Sequence, residues 1–491
     1  MTVAHADREA STTRFDANSL RLRRAVPRLA TLFGLAFVAG GWRIGLAPLD
    51  DNSFLWHFRT GRLILDDGIP HRDVYSYTVP GARWIAQSWL AESMYALADR
   101  VAGPVGIRLL VGSLGGLLAW LVWRIALEGA GDRLRAAGVG LVALVVTLNV
   151  FGERPLSFGL VGMAALVIAV EHPRARIARH PMIVLPVLFW LWGNTHGSMS
   201  LGYAYLGLHL AGRWFEGASP FRAGRERTLL VASLLSVCLL VANPYGIALL
   251  FFPFELVSRG DVLADVVEWM SPNFRTPLGM AYAAWIALVV CTAARGRQRP
   301  GRRDVVVAIP FLLLGLWAQR NVGIAALATL PIVARSVRAP TRAEDGNPRF
   351  ARACLALVAG LVILFGAVAV TEPDFDLRGY PVAAMQFIDD EGRIGERIFT
   401  SDRAGGFVIA KYWPRQTVFL DDRFDMYPGE VVAEYDTVAK VEPGWDTVLE
   451  ERGVTLVVWE KDRALASILA ERADWEQIYV DETFVVFGRI A

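Results

Sequence analysis

Only 3 of the 50 basic residues in this 491-residue chain are lysine; the others are arginine, and they gather between apolar blocks. The formal net charge of +2 therefore conceals a segregated charge, and no nucleic-acid partner is implied. Cysteine is equally scarce. Cys238, Cys291 and Cys354 all fall inside apolar runs, where a thiol behaves as a small hydrophobe, so neither a disulfide framework nor a cysteine metal site is available. Charged residues amount to 20% against 54% hydrophobic, and the mean hydropathy is +0.37. An ordinary soluble enzyme is less apolar, and here the apolar residues come in blocks rather than in strand-like alternation, as in a polytopic membrane protein. Internal repeats and low-complexity segments are also missing.

The chain begins with a polar, arginine-bearing stretch, 1–28, expected to be a cytosolic tail. LATLFGLAFVAGGW follows. Its small residues imitate a signal-peptide cleavage site, but the charged region before it is too long and many apolar runs come after, so an uncleaved first transmembrane helix is predicted. Further spans, each near the roughly 17 to 25 residues that cross a hydrocarbon core, are predicted near 104–126, 136–151, 156–171, 181–194, 199–213, 228–250, 277–294, 304–319, 321–336 and 352–371. That makes about eleven. Arginines mark alternate connections: Arg133 and Arg135; Arg174, Arg176 and Arg179; Arg222, Arg225 and Arg227; Arg295, Arg297, Arg302 and Arg303; Arg335, Arg338, Arg342 and Arg349. The positive-inside rule places these and the amino terminus in the cytosol, and it places the loop 50–100 and everything after Thr371 outside.

Past Thr371 the pattern changes. β-favouring runs at RIFTSD, TVFLDD, VTLVVWE and TFVVFGR alternate with helical pieces such as PVAAMQFIDDEG and DRALASILAERADW, so 372–491 is predicted to be a small extracytoplasmic α/β domain following the membrane domain 29–371.

The loop from Leu49 to Tyr95 is a polar and aromatic interruption between apolar runs. Asp50 and Asp51 leave the first span at the water interface, where a carboxylate can accept a proton from an attacking hydroxyl or hold a divalent cation such as Mg or Mn against a phosphate. They can equally do no more than end a helix in water. Trp56, His57, Arg59 and Arg62 follow at spacings that suit a helix lying along the interface, with tryptophan as anchor and arginines able to grip phosphate oxygens; interfacial snorkelling explains Trp56 and Arg62 as well. Gly68, Pro70 and Pro80 then break the helix. In the next one Trp89, Glu92 and Tyr95 share a face, so Glu92 either points back toward what the loop encloses or is solvated.

The segment DDNSFLWHFRTGRLILDDGIPHRDVYSYTVPGARWIAQSWLAE resembles the first extracytoplasmic loop of bacterial membrane proteins of the GT-C glycosyltransferase superfamily, of the protein O-mannosyltransferase and aminoarabinose transferase type. In these, patterns close to D-x-D-x-W-W-H-x-x-x-G, G-x-x-P-x-x-D-x-x-S-Y-T and W-L-x-E recur. The likeness continues in WGNTHGSMSLG, ANPYG, VEWMSPNF, QRNVGIAALATLP and GGFVIAKYWPRQTVFLDDRFDMY, and so runs through nearly the whole chain. It implies a multi-pass enzyme of the cytoplasmic membrane. Such an enzyme takes a sugar from a polyprenyl-phosphate donor and passes it to a cell-envelope glycan, lipid or protein, usually with inversion, using a first-loop aspartate as general base or metal contact. Asp51 matches the first acidic position of the pattern. Ser53 stands where many relatives have the second, with Asp50 as a neighbouring carboxylate.

Other candidates lie in the external connections. Arg320 can meet the departing phosphate or simply cap a helix end. His196, in the turn NTHG, can hydrogen-bond a sugar or phosphate or serve the turn itself. Glu268, Trp269 and Tyr245 suit either carbohydrate or a membrane-interface belt. Asp421, Asp422, Arg423 and Asp425 follow a strand directly, and either dock the tail domain or bind an acceptor or cation. At the level of function, a lipid-carrier-dependent glycosyltransferase is expected. The alternative is a non-catalytic protein that holds or transports a lipid-linked glycan, which would place ionisable residues deep within spans.

Overall fold

The structure, a computed structural model, describes residues 29–263, 266–295, 299–339 and 348–490. The expected tail 1–28 lies outside the described residues. Helix α1, Leu29–Gly45, leads by a short polar connection to the amphipathic α2, Phe54–Asp67. Helix α3, Trp89–Ala130, is two helices run together: Ala102 and Gly103 leave helical geometry, Gly103 at φ 62°, so a short polar helix bends into a membrane-length one. Then come α4 (Arg133–Leu148), α5 (Leu156–Glu171), α6 (Pro181–Thr195), α7 (Met199–Phe215), α8 (Arg225–Leu240), α9 (Ala248–Ser258), α10 (Pro277–Arg295), α11 (Arg302–Trp317), α12 (Val322–Ser336) and α13 (Pro348–Thr371). By length and composition, three helices among the described residues suffice to cross a membrane: Trp89–Ala130, Pro277–Arg295 and Arg349–Thr371. Shorter apolar helices, Leu29–Gly45, Leu156–Glu171 and Pro181–Thr195 among them, accompany these.

The expected span near 228–250 is not one helix. Asn243 interrupts it: its Nδ2 donates to the carbonyls of Leu240 and Gly246 at 2.6 and 2.8 Å, and its Oδ1 accepts from the Tyr245 amide at 2.7 Å. The side chain takes over backbone partners that a continuous helix would use. Elsewhere, packing relies on glycine. Gly41 lies against the Gly115 carbonyl and Gly45 against that of Val111, so a Cβ at either would strike the α3 backbone; in lipid, such close approach is a main source of helix association.

The arginine-rich helix ends come together. Glu171 at the end of α5 pairs with Arg335 (2.9 Å) and with Arg303; Asp304 takes Arg303 and Arg335, each at 2.7 Å. Asp51, Arg154, His196, Glu268 and Arg320 collect at the opposite end of the bundle. The segregation seen in the arginines is thus a segregation in space.

After Thr371 a four-stranded sheet forms in the order β1-β2-β4-β3, with β1 (Ile398–Phe399) parallel to β2 (Leu456–Glu460), and β4 (Phe484–Arg489) antiparallel to both β2 and β3 (Trp475–Val480). The expected strand TVFLDD makes only isolated bridges, Val418 to Ser76 and to Ile398. β3 was not expected, because an edge strand with only Trp475 buried carries little apolar alternation.

The sheet domain and the loop 50–100 share one core. Leu49, Phe54, Tyr75, Trp84 and Tyr95 pack in the same cluster as Ile388, Phe407, Val418, Val458 and Val486. The D-x-x-S-Y-T stretch of the loop makes this joint. Asp73 accepts from the Ser76 hydroxyl at 2.6 Å, the Tyr77 hydroxyl donates to the Ile398 carbonyl at 3.0 Å, and Thr78 donates to that of Phe419 at 2.6 Å.

Candidate active site between the external loops and the terminal domain

A cavity of about 580 Å³ lies where α2, the start of α3, the turns before α5 and α7 and the terminal domain meet. A second, of about 260 Å³, adjoins it, and Arg154, Leu156, Glu268 and Arg320 line both. Asn52 and Ser53, just before α2, and Trp56 and His57 on its first turn face the larger cavity. Arg59 and Arg62 project from other faces. Arg59 lies over Trp413 and donates to its carbonyl at 3.4 Å, and Arg62 pairs with Asp99 at 2.7 Å. Expected as phosphate ligands, both belong instead to packing around α2, because neither lines either cavity.

Asp51 lines the smaller cavity, where its carboxylate accepts from the Arg154 guanidinium and, at 2.9 Å, from the Ser53 amide. Arg154 also meets Glu268 and donates to Asn52 Oδ1 at 2.9 Å. Glu153, its neighbour, accepts the Asp50 and Asp51 amides at 2.6 and 2.7 Å and so fixes the turn that presents both aspartates. Burial, and then the charge of Asp51, push the Glu153 carboxyl up to about 7. Asp50 lines neither cavity; its pKa is raised by burial and by Asp51. Arg320 stacks over Trp269, 4.6 Å from the ring centre, and loss of hydration together with nearby Arg154 holds its pKa down to about 10. Two guanidiniums therefore share this wall.

Among the described residues no three His, Cys, Asp or Glu side chains converge as metal ligands, and the Asp51 carboxylate is taken by a permanent cation. This donor set does not fit a resident Mg or Mn ion.

In the larger cavity His57 Nδ1 meets Glu92 Oε1 at 2.7 Å. Burial pushes His57 well down and Glu92 well up, so the pair is held neutral overall with a proton between the two atoms. Neutral His57 offers no charge to a phosphate. His196 is likewise neutral: burial and then Arg320 take it down to about 3. Its Nδ1 accepts the Ser198 amide at 3.1 Å, which assigns the ring proton to Nε2.

The Asp421 to Asp425 cluster divides between its two expected roles. Arg423, fully buried, pairs with Asp421 at 2.7 Å and with Asp73 of the loop at 2.8 Å, and lies 4.5 Å from the Trp84 ring centre: this half docks the domain. Asp422 and Asp425 face the cavity instead, pushed up to about 8 and about 6 by burial. Asp422 Oδ2 accepts from the Ser53 hydroxyl at 2.5 Å, so a carboxylate from the terminal domain stands directly on Ser53.

Sequence reasoning overlooked Glu153, Arg154 and Gln87. The signal for the first two was a charged pair, Gly-Glu-Arg-Pro, in an external turn expected to carry few charges.

No protein-family model and no curated protein sequence matches the chain. Solved structures do. The chain is similar to ArnT from Cupriavidus metallidurans in the apo state, at 15% identity and a TM-score of 0.54, with 99% of each chain covered. It is also similar to the archaeal oligosaccharyltransferase AglB from Archaeoglobus fulgidus, solved with an inhibitory peptide and a dolichol-phosphate, at 14% identity and a TM-score of 0.53, covering 88% of this chain and 69% of that one.

The chain shares the fold of these two structures.

Within this fold, Asp51, Arg154, His196, Asp422 and Arg320 come from connections far apart in sequence and meet at one end of the bundle. Loops carried on a rigid frame are where binding groups concentrate.

Proposed function

We propose that this chain is a membrane glycosyltransferase that moves a sugar from a polyprenyl-phosphate carrier to a glycan, lipid or protein acceptor outside the cytoplasmic membrane, with inversion. The observation that carries the reading is Asp51, lining the smaller cavity and paired with Arg154, beside the two guanidiniums Arg154 and Arg320 and the Glu268 carboxylate that line both cavities of a GT-C fold. An inverting displacement needs both charges. Asp51 takes the proton of the acceptor hydroxyl as its oxygen bonds to the anomeric carbon. The bond from that carbon to the carrier phosphate breaks, and the electron pair leaves with the phosphate, where Arg154 and Arg320 offset the growing negative charge. Arginine serves because its fork matches phosphate oxygens and stays charged at neutral pH.

The purified Asp51→Asn protein tests this. It is expected to keep its melting temperature and lose transfer from a polyprenyl-phosphate sugar by about 100-fold or more; turnover equal to the parent's would remove Asp51 from the mechanism. A protein that binds the carrier without transferring its sugar to any acceptor would favour the holding or transport reading.

A further inference from the structure

Ten buried side-chain polar atoms have no hydrogen-bond partner among the described residues, and four of them belong to residues lining the 580 Å³ cavity: Trp56 Nε1, Gln87 Oε1, Glu92 Oε2 and Asp422 Oδ1. In three of these side chains the companion atom is already engaged. Gln87 Nε2 donates to Ser88 at 2.6 Å, Glu92 Oε1 meets His57, and Asp422 Oδ2 accepts from Ser53 at 2.5 Å and from Asn52 Nδ2 at 3.4 Å. The Trp56 ring is covered by His57, 3.6 Å between centres, and its N–H edge is what remains. Buried polar groups are paired as a rule, so four unmet ones around one cavity mark a place for a polar ligand.

The kinds of atom narrow the ligand. One N–H donor, one amide oxygen and two carboxyl oxygens are all met by hydroxyls, which donate and accept and turn to suit either protonation state of the acids. Of the four unmet atoms only Trp56 Nε1 is a fixed donor to an anion, and the cations of the cavity are already engaged: Arg154 by Asp51 and Glu268, Arg320 by the Trp269 ring and Lys440 by Asp436. Phe252, Leu256 and Leu263 also line the cavity and give it an apolar portion suited to a hydrocarbon carrier. We infer that Trp56, Gln87 and Glu92 from the membrane part and Asp422 from the terminal domain together receive the glycosyl group as a neutral, hydroxyl-rich ring and reject a glycosyl group bearing a carboxylate. The inference rests on the transferase reading above.

Binding to the full chain in lipid nanodiscs tests it with three ligands: polyprenyl phosphate, the same carrier bearing a neutral hexose, and the carrier bearing a hexuronic acid. The hexose carrier is expected to bind at least about tenfold more tightly than bare carrier, and the hexuronate carrier no more tightly than bare carrier. The gap is expected to close in Gln87→Leu and in Asp422→Asn. In the latter Ser53 and Asn52 hold the amide oxygen, so an NH₂ group replaces the acceptor without change of shape. If the two glycosylated carriers bind alike, or the gap survives in both folded variants, the inference is overturned while carrier binding leaves the transferase reading standing. If none of the three binds, the transferase reading falls and takes the inference with it.

Discussion

Arg154 is the residue on which the charge balance of the site turns. It neutralises Asp51 and Glu268 at once and stands close enough to Arg320 to depress its pKa. Arg154→Met is therefore expected to weaken binding of the carrier phosphate and to lower turnover together, by about 100-fold in kcat/KM, whereas Arg154→Lys keeps the charge and recovers part of it. Steady-state kinetics with carrier concentration varied would check this. Glu153 carries a separate, pH-dependent prediction. Its folded value near 7 lies above the ordinary carboxyl range, so the folded state binds the proton more tightly. Stability from this group is full below about pH 4 and is lost as pH rises through 7, by on the order of 3 kcal/mol. Glu153→Gln keeps an acceptor for the Asp50 and Asp51 amides and removes the titration, so thermal unfolding between pH 5 and 8 should show a flatter dependence than the parent.

At the level of elements, the contact between α2 and α3 places the buried pair. Gly61 of α2 lies against the Glu92 carbonyl, and a Cβ there would strike backbone. Gly61→Ala is expected to cost about 1–3 kcal/mol as overpacking, and to part His57 from Glu92; a lower melting temperature would report the first. Much at this scale was legible in the sequence. Apolar blocks gave helices, and Trp56, His57, Arg59 and Arg62 gave the amphipathic α2, because a period of 3.6 needs only local sequence. Which face of α2 meets the cavity was not legible, because that depends on where the terminal domain docks; Arg59 and Arg62, expected at the phosphate, line neither cavity. The break at Asn243 escaped because a single side-chain hydrogen-bond pattern, not hydropathy, ends the helix there.

The whole molecule is held together by long-range joints that periodicity cannot reveal. Arg423 is the strongest of them, paired with Asp421 and Asp73 without solvent. Arg423→Met leaves two buried carboxylates unpaired, at about 3–5 kcal/mol. The terminal domain is then expected to loosen from the loop, which protease cleavage between the two would detect as a faster rate in the folded variant. Topology is tested at this scale too. A reporter fused after Ala491 is expected to be active only outside the cytosol, and cytosolic activity would overturn the assigned orientation.

The shared core also orders the assembly of the molecule in time. Leu49 and Phe54 leave the ribosome long before Val486, yet they pack in one cluster with it. Between these events every helix of the bundle has to be inserted and the domain after Thr371 has to be made. The loop that carries Asp51 thus stays without its packing partners until the domain after Thr371 has been made.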